Sequence, residues 1–575
     1  MNLWLGKKPL QQSLLSFLLL AAVVIAIYYP ALTGGIHTID DPGIVSLYSS
    51  SPSLSKVLAP GTGYYYRPLL ELSYWIDQRL WGMAPSAMHL ENVLLHLANA
   101  ALVFALARLL CSRQPEAHPL LPLGAAFLFA LHPVNVEAVG WIAGRTDPML
   151  ALFCLSACFF WVKWLDSPKV TSLLMAGALF VCAALTKEVA LAFIPVALIL
   201  AYGLLPRQAL VSRRTVALLL LAALVSGGLL FLLVMQHSGS FSAIARLLSP
   251  NDARLGTNLQ AILAAFGFYC RKMLFPLPLN FAITDIPAPY ALLGIMVALG
   301  LPLSLRRGKP ASCFFAAAAL MVIPALVLVL RNISWTPVAE RYLYLPTAFF
   351  SLGVCSFLSG RERKVQVAAL LVLALLVSGS ALVCQQRNAL WQDKEQFYRD
   401  ALVKSPYFAP LYNELGALLL RDNRVDAAAQ AFASADRLNH RPSAKYVIKG
   451  NIMATILAKG DYPGVRSYFF SLFPDKAGAP PVFLEMLQTA DRKRLASLSG
   501  EDKTNLTRDI IATLVLLHEK TLDPFWLYEC GKFALALNAL GEAKSFFLKA
   551  YQFAPHDALY RPALKKQLLH LGSRP

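Results

Sequence analysis

The stretch LQQSLLSFLLLAAVVIAIYYPAL, residues 10–32, decides the architecture, because it carries no charged side chain from end to end. A bilayer core takes about 20 predominantly apolar residues per helix, and this run is long enough. It follows the basic pair Lys7–Lys8 and ends in Tyr28-Tyr29-Pro30 rather than at a small-residue cleavage site. It is also too long for the apolar core of a leader peptide, so it reads as an uncleaved signal anchor.

Comparable runs recur near 89–110, 121–140, 148–165, 170–186, 188–206, 214–236, 290–305, 311–331, 341–359 and 365–384, which makes eleven expected spans. Composition agrees: 57% of the 575 residues are hydrophobic and 15% charged, against about 25% charged in soluble domains. The formal net charge of +19 would suggest nucleic acid in a soluble protein. Here the cations sit in short loops, at Lys7–Lys8, Arg213–Arg214, Arg306–Arg307 with Lys309, and Arg361, Arg363 and Lys364. That is a positive-inside pattern, and no nucleic-acid partner is expected. With Lys7–Lys8 in the cytoplasm, the odd count puts the C-terminal part outside. Residues 259–275 contain Arg271 and Lys272 and are expected to form an interfacial or re-entrant helix on the outer side. The nine cysteines lie mostly in apolar runs without zinc-like spacing, and no disulfide is expected.

After Trp391 the chain turns to polar-alternating helices with no further span. A 34-residue pattern appears there. Tyr412, Leu415, Gly416, Ala428, Phe432 and Ala435 occupy tetratricopeptide consensus positions, as do Gly531, Ala543, Phe547, Ala550 and Pro555. A degenerate copy runs from Gly460-Asp461-Tyr462 to Phe469. The fold class is therefore all-α: a polytopic membrane bundle, residues 1–388, followed by an extracytoplasmic helical-repeat domain, residues 389–575. Such repeats commonly offer a concave surface to peptides.

Ionisable groups inside or beside spans are functional candidates by default. Asp40 and Asp41 follow the first span; adjacent carboxylates repel, which raises the pKa of one and suits it to serve as a base. The same pair also fits a solvated turn ending at Pro42. Tyr64-Tyr65-Tyr66-Arg67-Pro68 fits an interfacial aromatic belt, or places Arg67 against an anionic head group. His89, Asn92, His96 and Asn99 form a polar stripe on the second span, suited to interhelical hydrogen bonds and not to a metal. Glu137, near a span end, needs a partner; Arg145 and Asp147 fit a mutual pair, or a phosphate contact and a hydroxyl contact. Lys187 and Arg341 fit snorkelling anchors. Four cations, Arg67, Arg145, Lys187 and Arg341, on the outer side run against the usual bias and point to an anionic ligand.

Tyr66-Arg67-Pro68, the run from Leu131-His132-Pro133 through Glu137 to Val139, Gly144-Arg145-Thr146-Asp147, Thr186-Lys187-Glu188 and Ala339-Glu340-Arg341-Tyr342-Leu343-Tyr344-Leu345-Pro346 resemble the transmembrane-and-tetratricopeptide O-mannosyltransferases. These are similar to the wider GT-C glycosyltransferases. The resemblance covers nearly the whole chain, with fewer clear repeats than the larger animal members, as in a shorter bacterial relative. It implies a multi-pass enzyme of the bacterial inner membrane with a periplasmic C-terminal domain. The implied donor is a polyprenyl-phosphate sugar and the implied acceptor a Ser or Thr hydroxyl of an exported protein, attacked with inversion. The resemblance implies a base from the pair Asp40–Asp41, Asp40 being favoured. Arg145 and Arg341 would neutralise the leaving phosphate, with Arg67 and Lys187 behind them. Glu137, Asp147, His132 and Glu340 would shape the sugar and acceptor site. It implies no metal and no other cofactor. The competing readings are a transferase acting on a glycolipid or polysaccharide, and a non-catalytic scaffold or transporter. A transporter would favour internal symmetry and midplane charges, which the sequence lacks.

Overall fold

The computed structural model describes residues 9–37, 39–59, 66–205, 255–306, 308–329, 336 and 338–573. Among them regular structure is helical throughout, apart from one isolated antiparallel bridge between Ile283 and Val338. The chain separates into two compact units, Met1–Pro406 and Tyr407–Pro575. The division falls after the end of the apolar runs because Trp391, Phe397 and Tyr398 ring His37 of the first unit.

Among the described residues six helices are long and apolar enough to cross a membrane: Gln11–Leu32, Pro85–Cys111, Ile142–Asp166, Pro310–Val329, Glu340–Ser359 and Arg363–Gln392. Four shorter apolar helices, Leu121–Ala130, Val170–Thr186, Glu188–Leu204 and Tyr290–Leu305, fall on other expected spans. The expected span 214–236 lies outside the described residues, as do Lys7–Lys8, Arg213–Arg214, Arg307 and Tyr64–Tyr65. The most apolar window of Arg363–Gln392 is only 11% buried, so this helix turns an almost wholly apolar surface outward. Water could not carry that surface; lipid can.

One stretch departs from the sequence expectation. Residues 121–140 are not one unbroken span: the helix stops at Ala130 and a second one, Asn135–Gly140, begins after a turn. Pro133 explains the break, since it lacks an N–H and disfavours helical geometry in the residue before it. Most of the expected interfacial or re-entrant segment 259–275 lies in a 20-residue helix, Leu255–Leu274, packed side by side with Tyr290–Leu305. Gly267 and Gly294 permit that approach: a Cβ on Gly267 would lie 2.0 Å from the Tyr290 carbonyl oxygen. Small residues at a crossing are the usual device for close helix packing in lipid.

The polar stripe on Pro85–Cys111 serves interhelical bonding. Asn92 donates to the Trp141 carbonyl at 2.8 Å, and Asn99 to the Pro148 carbonyl at 2.9 Å. His96 bridges the Ala130 carbonyl and the Tyr344 hydroxyl at 2.9 and 2.7 Å.

The second unit is a run of antiparallel helix pairs. Ala409–Arg421 packs on Val425–Leu438, Pro442–Ala458 on Tyr462–Leu472, and Phe525–Ala536 on Leu540–Phe553. Gly416 and Gly531 let aromatic rings in: a Cβ there would meet the Phe432 ring at 2.7 Å and the Phe547 ring at 2.3 Å. The three hairpin turns place Asn423, Gly460 and Asn538 at positive φ, the region that Gly and Asn enter at least cost.

Candidate functional site

The residues after the first long helix fold back on the bundle. His37 donates its backbone N–H to Asp41 Oδ2 at 2.8 Å, and Asp41 Oδ1 accepts the N–H of Ala143 at 3.1 Å. Asp41 is fully buried and both its oxygens are occupied, so it ties the first loop to the loop after Gly140. Burial pushes its carboxyl up to about 7, the two backbone donors pulling the other way and Asp40 adding to the rise. Asp40 stands at the surface of the fold. Desolvation by its neighbours raises its carboxyl, and Arg341 draws it back.

Each expected cation meets a carboxylate. Arg341 bonds Glu137, whose other oxygen accepts the Glu340 N–H at 3.1 Å. Its guanidinium also lies 5.3 Å from the Trp141 ring and 4.9 Å from the Tyr342 ring. Lys187 bonds Asp147 Oδ1 at 2.6 Å, leaving Asp147 Oδ2 without a partner among the described residues. Arg67 forks onto Glu188 at 2.6 and 3.1 Å. His132 Nε2 lies 3.0 Å from the Met273 carbonyl.

Arg145 is fully enclosed. It bonds Asp77 at 2.6 Å, Glu91 at 3.1 Å, Asn92 at 3.0 Å and the Met88 carbonyl at 3.1 Å, over the Tyr74 ring. Two carboxylates already neutralise it, and Asp147 pairs with Lys187 rather than with it. The excess of cations that pointed to an anionic ligand is thus balanced, pair by pair, by carboxylates.

Three of those partners escaped the sequence reading. Asp77 sits on the amphipathic helix Pro68–Trp81, where a carboxylate looks solvated. Glu91 interrupts the apolar start of Pro85–Cys111, and such a charge needs a partner. Lys272, in the last turn of Leu255–Leu274, bonds Glu340 at 2.6 Å and the Pro276 carbonyl at 3.0 Å. That same Glu340 oxygen takes the Asn280 N–H at 2.9 Å. Among the described residues no group of three or more His, Cys, Asp or Glu is placed to hold a metal ion.

None of the known protein-family models matches the chain. It is similar to protein O-mannosyl-transferase TMTC3 of Mus musculus, at 23% identity over 552 residues, covering 86% of this chain and 57% of that protein. Protein O-mannosyl-transferase TMTC4 of Homo sapiens is 27% identical over 429 residues, covering 64% of this chain and 57% of that protein. A shorter alignment to TMTC1 of Mus musculus reaches 35% over 156 residues, covering 25% of this chain and 16% of that protein. The chain spans a little over half the length of the curated relatives it matches most widely. It is a multi-pass helical membrane protein homologous to the TMTC O-mannosyltransferases, which links it to the GT-C-like glycosyltransferases.

Proposed function

We propose that the chain is a membrane glycosyltransferase that moves a hexose, mannose foremost, from a polyprenyl-phosphate donor to Ser or Thr hydroxyls of exported proteins. Asp40 accepts the hydroxyl proton. The freed oxygen attacks the anomeric carbon from the face opposite the phosphate, and the bond from that carbon to the phosphate oxygen breaks. The polyprenyl phosphate departs with the electron pair and the negative charge, and the sugar is inverted. Arg341 stabilises that charge as it develops, with Lys187 and Arg67 behind it. Arg145 is reassigned from phosphate binding to scaffolding, since Asp77, Glu91, Asn92 and Met88 occupy its guanidinium. Glu137 and Glu340 hold Arg341 in place, while the open oxygen of Asp147 and the ring of His132 face sugar or acceptor.

One observation carries the reading. Asp41 bonds backbone of both loops, and this leaves its neighbour Asp40 free of those bonds and within the field of Arg341. A base within the field of a cation is what inverting transfer from a phosphate requires.

The wider architecture belongs to the same proposal. The eleven crossings belong to the proposal: the six long helices, three of the shorter ones and the run 214–236 carry ten, and Leu121–Ala130 with Asn135–Gly140 together carry the eleventh. The first and last long helices end together, with the His37 ring 4.9 Å from the Trp391 ring, which favours an odd number. A cytoplasmic N-terminus then puts the helix pairs in the periplasm of a bacterial cell. There they act as tetratricopeptide-type repeats that recruit the acceptor protein and raise its local concentration. The test is mass spectrometry of exported proteins from cells carrying the wild-type chain or Asp40→Asn. Loss of hexose from specific Ser or Thr residues in the variant is expected; identical glycosylation in both would overturn the proposal.

A further inference from the structure

The last long helix, Arg363–Gln392, turns its apolar surface to lipid, and near its C-terminal end that surface changes character. Val383, Arg387 and Leu390 follow one another at spacings of four and three, so they share one face of the helix. That face, the loop 277–279 and the helix Lys394–Lys404 surround an open cavity of about 550 Å³. The space is already present, and its size lies within the range of about 300–1,000 Å³ usual for ligand sites. Its walls are of two kinds. Leu277, Leu279, Val383 and Leu390 supply apolar surface, whereas Arg387, Asp400 and Lys404 supply charge.

The two cations share a single carboxylate. Arg387 Nη1 donates to Asp400 Oδ2 at 2.9 Å, and Lys404 Nζ bonds the two Asp400 oxygens at 2.6 and 2.7 Å. The lining is left with one net positive charge. Nε and Nη2 of Arg387 bond nothing among the described residues, so part of its fork is still available to an anion. The loop wall is held from beneath: buried Lys272 bonds the Pro276 carbonyl at 3.0 Å and also the Pro278 carbonyl. A wall fixed in this way need not be ordered at the moment of binding.

Position says what fills the space. Leu274 and Phe275 precede the loop, Leu382 precedes Val383, and all three are exposed. Apolar side chains exposed along a helix of this kind face acyl chains, while Arg and Lys at its end reach the level of the head groups. A ligand with apolar chains and one negative charge at their head matches both walls. We propose that this cavity binds one anionic glycerophospholipid, its phosphodiester on Arg387 and Lys404 and its acyl chains along Leu277, Leu382 and Val383. A phosphodiester with an uncharged head carries the single negative charge that cancels the excess. A zwitterionic lipid brings an ammonium as well and leaves the excess in place. The proposal goes beyond the transfer reading and does not depend on it: the donor's phosphate is assigned to Arg341, and this lipid is a resident one.

The test is native mass spectrometry of the full-length chain in detergent, titrated with phosphatidylglycerol or with phosphatidylcholine of the same acyl chains. Phosphatidylglycerol is expected to bind one per chain, about tenfold tighter than phosphatidylcholine. Arg387→Gln and Lys404→Gln should each remove most of that preference, and Asp400→Asn, which takes away the competing carboxylate, should increase it. The last two variants alter exposed ends of side chains and keep the test open if Arg387→Gln folds poorly. Arg399→Gln removes another cation of the same helix, paired with Glu395 outside the cavity, and should leave the preference unchanged. Equal binding of the two lipids, an equal loss in Arg399→Gln, or displacement of phosphatidylglycerol by inorganic phosphate at the same concentration overturns the site. Tighter binding of bare polyprenyl phosphate than of phosphatidylglycerol, lost in Arg387→Gln, would make the cavity a donor-lipid site and overturn the resident lipid.

Discussion

Arg341 bonds Glu137 across 204 positions of chain, and the second oxygen of that carboxylate takes the backbone N–H of Glu340. One carboxylate therefore fixes both the guanidinium and the backbone that carries it. Arg341→Gln should retain the fold and lower kcat by about 10²–10³-fold, as expected for one preorganised donor on a developing charge. The check is steady-state kinetics with a labelled polyprenyl-phosphate hexose. A rise in KM at unchanged kcat would assign Arg341 to ground-state binding instead.

Asp40 and Asp41 are neighbours with different work. Asp40→Asn removes the proposed base and should cost about 10²–10⁴-fold in transfer, with normal expression. Asp41→Asn breaks the tie to His37 and Ala143, and its main effect should be a lower thermal midpoint. If instead Asp41→Asn abolished transfer at an unchanged midpoint, the two roles would have to be exchanged.

The raised carboxyl of Asp41 sets a pH dependence whose sign is defined. Its ordinary value of 3.8 rises to about 7 in the folded chain. Between those values the folded chain holds a proton that the unfolded chain has released, so this group's contribution to stability falls as pH rises. The stability of the wild type relative to Asp41→Asn should therefore decline from about pH 4 to about pH 7 and level off above. Thermal denaturation in detergent across that range measures it; a difference that rises with pH would contradict the assignment.

Arg145 offers the sharpest contrast between phosphate binding and scaffolding. Arg145→Met leaves Asp77 buried and Glu91 half-buried without their cation and should cost about 3–5 kcal/mol, seen as poor accumulation and early unfolding. Arg145→Met combined with Asp77→Asn should recover part of the loss. A well-folded Arg145→Met chain that fails only to bind polyprenyl phosphate would restore Arg145 to the donor site.

In the helix pairs, Gly531→Ala drives a methyl group into the Phe547 ring. Overpacking of this kind costs about 1–3 kcal/mol. The expected result is earlier proteolysis of the segment after Tyr407 and weaker acceptor use, with donor binding unchanged. Equal loss of donor and acceptor binding would remove the recruitment role from the repeats.

The sequence by itself determined that this is a helical membrane protein with a polar helical end. Spans and repeats are local patterns, and a run such as residues 10–32 or a glycine facing an aromatic shows in the order of residues. It also marked Asp40–Asp41, Glu137, Lys187 and Arg341 as costly charges, because a charge beside an apolar run demands an explanation wherever it ends up. The partners of those charges were decided only by tertiary structure. Asp77, Glu91 and Lys272 lie far along the chain from the groups they bond, and an ion pair leaves no periodic trace in sequence. Arg145 and Arg341 look alike as residues beside apolar runs, yet burial between two carboxylates closes one while the field of the other reaches Asp40. That difference depends on which side chains converge in a low-dielectric interior, and convergence is a property of the fold.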